Sequence, residues 1–272
     1  MRDRDDELIR VDQLLTLAYG SASRRSELEI YLRAAPTRWC VIELDGRLLA
    51  VAGCFAYGGF AWLGLVATHP DARGRGLASQ VSQHLAEWAL ARGCCTVALD
   101  ASITGRPVYV RLGFEQVGAT AELLRPAGSP PPPDERAERA SPGDLDEIVA
   151  FDRGVFGGDR ATLLRALAEH ARGDWYVTRA SDGRLGGYLL VRGQLIGPAA
   201  GVDEYAVRRL VHSALDARSD QRVLVPEGSA YLDTLLDLGF VEQRRLAHMR
   251  IGEPALAPER SRLVAQLSYA TG

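Results

Sequence analysis

The chain has 272 residues, a formal net charge of −3, and 47% apolar against 25% charged residues. This is an ordinary globular composition that excludes general disorder, and the near-neutral balance leaves no broad electrostatic footprint for nucleic acid. All 32 basic residues are arginine, with no lysine and no asparagine, which rules out a Schiff-base or P-loop lysine.

The first seven residues are charged and lack an apolar core, so they do not read as a signal peptide. Apolar spacing predicts helices over 6–18 and 26–34, then a strand over 39–44 ending in an Asp45-Gly46 turn. Residues 48–68 carry no charge, which is long enough for a membrane helix. However, Gly58-Gly59 at the middle and the Val, Phe, Tyr and Trp content of both arms favour a β-hairpin of strands 48–57 and 60–68. A helix follows over 74–92, with Leu77, Val81, Leu85, Trp88 and Ala89 on one face and Gly93 ending it. A strand over 95–100, a short helix to Leu112 and a strand from Phe114 complete the first half. The four cysteines, Cys40, Cys54, Cys94 and Cys95, show no CxxC spacing and read as small buried hydrophobes in a reducing, cytoplasmic compartment.

The segment 126–134 contains four consecutive prolines, a stiff spacer that divides the chain. It separates an N-terminal domain (1–125) from a C-terminal one (135–272), and the halves look duplicated. Asp45-Gly46-Arg47-Leu48 recurs 137 residues on as Asp182-Gly183-Arg184-Leu185, and Leu112-Gly113-Phe114 recurs 126 residues on as Leu238-Gly239-Phe240. The two offsets differ by 11, so the second half has lost residues between its hairpin and its last helix. Its predicted helices cover 145–156, 161–171, 205–215 and 231–236, and its strands 175–180, 185–191, 194–196, 223–225 and 240–250. Strands joined partly by hairpins and partly through crossover helices define an α+β fold with a mixed twisted sheet flanked by helices in each half.

The chemistry concentrates in Val66-Ala67-Thr68-His69-Pro70, followed by Arg73-Gly74-Arg75-Gly76-Leu77-Ala78. A strand ends, Pro breaks it, and a helix begins inside a glycine-rich loop. The first amides of a helix lack partners and sit at the positive end of its dipole. Glycines let a ligand approach those amides, and two flanking arginines complete a cradle for a diphosphate.

This stretch resembles the GNAT superfamily of N-acetyltransferases. Arg73-x-x-Gly76-x-Ala78 matches the family's acetyl-CoA pattern, and Pro107 to Phe114 resembles its terminal Tyr-x-x-x-Gly-Phe signature. The strong match covers residues 45–118, and the second half matches only in element order and the two echoes. The resemblance implies that the backbone of Val66, Ala67 and Thr68 pairs with the pantetheine arm. Arg73, Gly74, Arg75, Gly76, Leu77 and Ala78 would hold the diphosphate, and Tyr109 would donate a proton to the departing sulfur. A strand N–H near Val66 would stabilise the oxyanion formed when an amine attacks the thioester.

Two departures from the family pattern stand out. Ser102 occupies a position where many members carry Asn, and no carboxylate lies on the 60–68 strand, where members often place Glu. Asp100 is the nearest acidic candidate for a base, and His69 the nearest imidazole, reading more simply as a turn residue. His84, His170, His212 and His248 stand isolated in the sequence and read as surface or half-buried residues. There is also little room before Asp6 for the family's first strand.

The second half lacks the coenzyme equipment. Its equivalent turn (197–204) has no arginine, Asp203 and Glu204 would repel a diphosphate, and Leu235 replaces Tyr109. The expectation is a tandem protein whose N-terminal half transfers acetyl from acetyl-CoA to a small-molecule or peptide amine. No metal, nucleic acid or membrane is expected, and a homodimer is allowed. The alternative is a non-catalytic acetyl-CoA-binding or scaffolding protein.

Overall fold

The computed structural model describes residues 4–34, 36–128, 136–170, 173–254 and 259–272. The expected proline spacer lies outside the described residues from 129 onward.

Two helices, α1 (Arg4–Tyr19) and α2 (Arg25–Tyr31), precede the antiparallel strands β1 (Thr37–Leu44), β2 (Arg47–Ala56) and β3 (Phe60–Thr68). The long uncharged run is therefore a hairpin, closed by the Tyr57 amide donating to the Phe60 carbonyl at 2.8 Å. No helix among the described residues is long and apolar enough to cross a membrane. After a 3-10 turn (Pro70–Ala72) come α3 (Leu77–Ala91), β4 (Thr96–Ala101), α4 (Arg106–Arg111) and β5 (Glu115–Arg125). No strand precedes α1 among the described residues.

The second half runs β6 (Glu138–Arg139), α5 (Leu145–Phe156), α6 (Ala161–His170), β7 (Asp174–Arg179), β8 (Leu185–Arg192) and β9 (Leu195–Gly201). It continues with α7 (Glu204–Ala214), β10 (Gln221–Pro226), α8 (Leu232–Asp237), β11 (Val241–Gly252) and β12 (Leu263–Ala265).

Two expected element boundaries need correction. The helix expected from Gly74 starts at Leu77, because Gly74 and Gly76 adopt φ of 79° and 74°, left-handed values that no right-handed helix accepts. The turn expected over 197–204 is mostly strand. Gly197 to Gly201 belong to β9, which pairs with β8 and β12, leaving two residues before α7.

The two mixed sheets run together into one, in the order β1-β2-β3-β4-β11-β5-β10-β9-β8-β7-β6, with β12 beside β9. The halves exchange one strand each, β5 and β11. β11 lies antiparallel between β4 and β5, with Ala247 opposite Ala101 and Gly252 opposite Thr96. β5 in turn lies between β11 and β10. Each half is closed by a strand of the other.

Helix α3 covers one face of the N-terminal sheet, burying Val81, Leu85 and Ala89 against Ala61, Leu63, Val97 and Leu99. The opposite face, with Phe55, Trp62 and Ala98, shares a core with Leu14 and Leu15 of α1, Phe156 of α5 and Leu163 and Leu167 of α6. Each such side chain stabilises by about 1.5–3 kcal/mol when fully buried, so the halves are welded by apolar packing as well as by strands. The segment following β12 adds to the joint. The Trp62 indole donates to the Tyr269 carbonyl at 3.0 Å and the Tyr57 hydroxyl to the Thr271 carbonyl at 2.9 Å. Gly64 is required there, since a Cβ would stand 2.2 Å from the Ala270 oxygen.

Beneath this joint lies a buried ion pair. Arg160 donates from Nε and Nη2 to Asp152 at 2.9 and 2.8 Å and from Nη1 to the Gly272 carbonyl at 2.9 Å, and Tyr188 also donates to Asp152. Removing one partner of such a pair leaves an uncompensated buried charge, typically a loss of about 3–5 kcal/mol.

Cys54 and Cys94 are buried and Cys40 half-buried, but Cys95 is exposed, contrary to expectation. Adjacent residues entering a strand point to opposite sides, so Cys94 and Cys95 cannot both face the core. Burial pushes the Cys54 thiol up to about 12, which leaves it a protonated, unreactive thiol at neutral pH.

Candidate active site

The site begins where β3 and β4 part. Their parallel ladder runs only from Phe60–Thr96 to Trp62–Ala98, while β3 continues to Thr68. Past Trp62 the two strands splay. Against β2, two residues of β3 (Leu65 and Val66) oppose the single Ala52, and Leu65 has φ of 53°. This is a bulge with its first residue left-handed, a device that re-aims the backbone. It lies at the first of the three residues expected to meet the pantetheine arm. The Val66 carbonyl accepts from the Tyr19 hydroxyl at 3.0 Å.

The chain then passes His69, whose imidazole accepts from the Asp71 amide at 3.2 Å and faces Arg47, making it a turn residue. Arg73, Gly74, Arg75 and Gly76 are all exposed. Gly76 is the residue before α3, offers no side-chain cap, and the first turn of α3 holds no acidic group. Thus no side-chain cap at Gly76 covers the opening amides of α3, at Leu77 and Ala78. Of the two guanidinium groups, Arg73 donates to the Ala18 carbonyl at 3.0 Å and Arg75 to the Asp71 carbonyl at 3.4 Å.

Tyr109 is buried on α4, its ring edge-on to Phe114 with centroids 5.8 Å apart. Burial, and then the neighbouring Tyr19 phenol, raise the Tyr109 phenol above its ordinary value near 10, with the Ser82 hydroxyl opposing. It is a protonated donor at neutral pH. Ser102 accepts from the Gly105 amide at 3.1 Å through its hydroxyl and from the Arg106 amide at 2.8 Å through its carbonyl, so it shapes the turn into α4.

The Asp100 side chain is fully enclosed and is paired with a residue distant from it along the chain. Register sets His248 of β11 directly opposite, with Nδ1 2.9 Å from Asp100 Oδ1. The His248 ring also stacks on Trp62, centroids 5.5 Å apart and planes at 27°. No local signal could have revealed the pair, because 148 residues separate its members. Among the described residues, no group of three or more His, Cys, Asp or Glu is placed to hold a metal ion.

The corresponding places in the second half are filled. The β9–β10 ladder spans only Leu195–Arg222 and Ile196–Val223, and the splay beyond it holds β12. That strand pairs with β9, and the following Gln266 amide donates to the Leu224 carbonyl at 2.8 Å. At the head of α7 the Asp203 carboxylate caps the Ala206 amide at 2.8 Å. Leu235 is buried in the core. The shortening falls chiefly in the strand-to-helix loop and in the helix that follows it: eight residues separate β3 from α3, two separate β9 from α7, and the helix is 15 residues in one half and 11 in the other.

A mixed twisted sheet with a splayed parallel strand pair and flanking helices in each half is an α+β architecture of the acetyltransferase type, and comparison with known proteins places the chain in that class. The model described as acetyltransferase (GNAT) family matches residues 8–114, and that described as acetyltransferase (GNAT) domain matches 148–265. The chain belongs to the GNAT acetyltransferase family and carries two GNAT domains in tandem. It is 26% identical over 216 residues to an uncharacterized N-acetyltransferase, YitH, from Bacillus subtilis, spanning 73% of this chain and 72% of that one. Among solved structures it is similar in fold to a protein from Pyrococcus horikoshii taken to be an acetyltransferase (TM-score 0.85, 21% identity, 100% of this chain and 95% of that one). It also resembles a tandem GNAT protein from the clavulanic acid biosynthesis pathway (TM-score 0.66, 14% identity, 93% and 97%).

Proposed function

We propose that the N-terminal half binds acetyl-CoA and transfers its acetyl group to a primary amine of a small molecule or peptide by direct attack, while the second half carries no coenzyme. The observation that supports this most is the contrast between halves. One keeps an open splay and a bare helix start, and the other has a strand and a carboxylate at the same two places.

In this reading the backbone of Val66, Ala67 and Thr68 pairs with the pantetheine arm. The amides and guanidinium groups from Arg73 to Ala78 hold the diphosphate. The amine attacks the thioester carbonyl, an amide at the Leu65–Val66 bulge meets the developing oxyanion, and Tyr109 protonates the leaving sulfur.

The test is calorimetry of the purified chain with coenzyme A, followed by free-thiol release from acetyl-CoA across a panel of amines. One coenzyme should bind per chain, and at least one amine should accelerate release. Absence of heat, or a crystal with the coenzyme only beside Gly197, overturns the coenzyme assignment. Binding without release by any amine leaves the scaffolding alternative standing instead.

A further inference from the structure

A cavity of about 340 Å³ opens at the junction of the two halves, on the sheet face opposite α3. Phe60 and Trp62 of β3 and Phe156 of α5 form an aromatic wall, and His248 lies against it. Glu227, Arg250 and Arg260 bring charge from the other side.

This cavity lies over the paired segment of β3 and β4 and reaches the end of their ladder at Trp62 and Ala98, where the splay begins. The ladder ends at Ala98, and Asp100 is two residues further along β4. Leu99 and Ala101 face the core under α3, so Asp100 stands on the cavity face with Ala98. Its side chain is fully buried and His248 is largely so, at 19% exposure. A carboxylate only accepts, so the bond to Asp100 places the neutral imidazole's proton on Nδ1 and leaves the Nε2 lone pair free. Asp100 Oδ2 is buried with no hydrogen-bond partner among the described residues. An enclosed carboxylate with spare accepting capacity beside an imidazole is arranged to stabilise the cation that forms when the ring takes a proton.

From this geometry we infer that His248, contributed by the exchanged strand of the second half, is the general base for the acceptor amine, positioned by Asp100. The inference rests on the acetyl transfer proposed above. The neutral amine forms its C–N bond with the thioester carbon while His248 Nε2 takes one proton from that nitrogen. The C–S bond breaks, and its electron pair takes the Tyr109 phenol proton. Solvent exchange carries the His248 proton away and returns one to Tyr109, so the products are the amide and the free thiol. The acceptor amine enters through the cavity between the halves, which makes the second half part of the active site although it holds no coenzyme. The charged groups facing His248 there are Asp100 from β4, Glu227 from beyond β10, Arg250 from its own strand and Arg260 from the turn before β12.

The test measures thiol release against pH with the best amine of the panel, for the whole chain and for His248→Ala, His248→Gln and Asp100→Asn. General-base loss should lower turnover about 100-fold or more in both His248 variants, with acetyl-CoA affinity unchanged by calorimetry. The ascending limb of the pH profile should disappear, and added imidazole should restore part of the rate in His248→Ala. Asp100→Asn should lower turnover by less than loss of the imidazole does, with acetyl-CoA affinity unchanged, and added imidazole should not rescue it, because the ring is present but no longer held. A His248→Ala variant with wild-type turnover and limb overturns this inference alone, provided that Tyr109→Phe remains impaired. So does a loss that imidazole cannot rescue and that comes with weakened coenzyme binding. Absence of amine-dependent release from the unaltered chain overturns this inference and the transfer reading together.

Discussion

Tyr109 combines enclosure with a neighbouring Tyr19 whose hydroxyl reaches the Val66 carbonyl, and in the proposed reading these two properties set its expected behaviour. A general acid works in its protonated form, and the raised phenol keeps that form beyond the ordinary value near 10. Thiol release should therefore show no falling limb between neutrality and about pH 10. Tyr109→Phe preserves the edge contact with Phe114 and removes only the proton. Turnover should fall about 100-fold with acetyl-CoA affinity unchanged in calorimetry. An early alkaline fall, or a fully active Phe variant, would remove Tyr109 from the acid role. Tyr109 was legible in the sequence as a candidate because its signature is local: the Tyr, the Gly at the end of the short helix and the following Phe lie within six residues. His248 was not, because its partner comes from register between strands 148 residues apart, and no periodicity encodes that register.

At the scale of elements, the α3 start was legible for a related reason. Glycines at 74 and 76 signal that the chain needs left-handed backbone there, and both adopt it. The helix boundary shifted by three residues because those same glycines cannot be helical while they do so. Gly76→Ala separates conformation from contact. A Cβ at Gly76 would meet nothing within 4 Å in the free protein, so the cost is that of left-handed backbone alone. That is about 1–2 kcal/mol, readable as a lower midpoint in thermal or denaturant unfolding. If the diphosphate lies against the residue that opens α3, as proposed, the same Cβ crowds it, so coenzyme affinity should fall by more than stability does, with turnover at saturating acetyl-CoA nearly preserved. An unaltered coenzyme affinity would show that the diphosphate lies elsewhere. In the second half, the sequence showed that Asp203 and Glu204 complement their own helix. It could not show that β12 fills the β9–β10 splay, because residues 263–265 form too short a run to read as a strand before its partner is known.

At the scale of the whole molecule, the exchange of β5 and β11 decides what counts as a folding unit. The duplication was visible in two echoed motifs, and each half's element order followed from apolar spacing. Strand neighbours did not follow, because a period-2 pattern states which face a strand buries and not whom it pairs with. A piece ending at Gly128 would keep β5 but lose β11, leaving unpaired edges on β4 and β5. A piece starting at Arg136 would lose β5, parting β10 from β11. Exposed edges of this length invite self-association, and the apolar core shared by α1, α5 and α6 would be cut as well. Expressed separately, the two pieces should be aggregated or lack cooperative unfolding by circular dichroism. Co-expressed, they should co-purify as a one-to-one complex that unfolds cooperatively and binds coenzyme A. If the N-terminal piece alone gives a sharp unfolding transition and binds coenzyme, the exchanged strand is an ornament on a self-sufficient domain. His248 would then be dispensable to the fold of the half it serves, and its role could be read there directly by adding the second piece back.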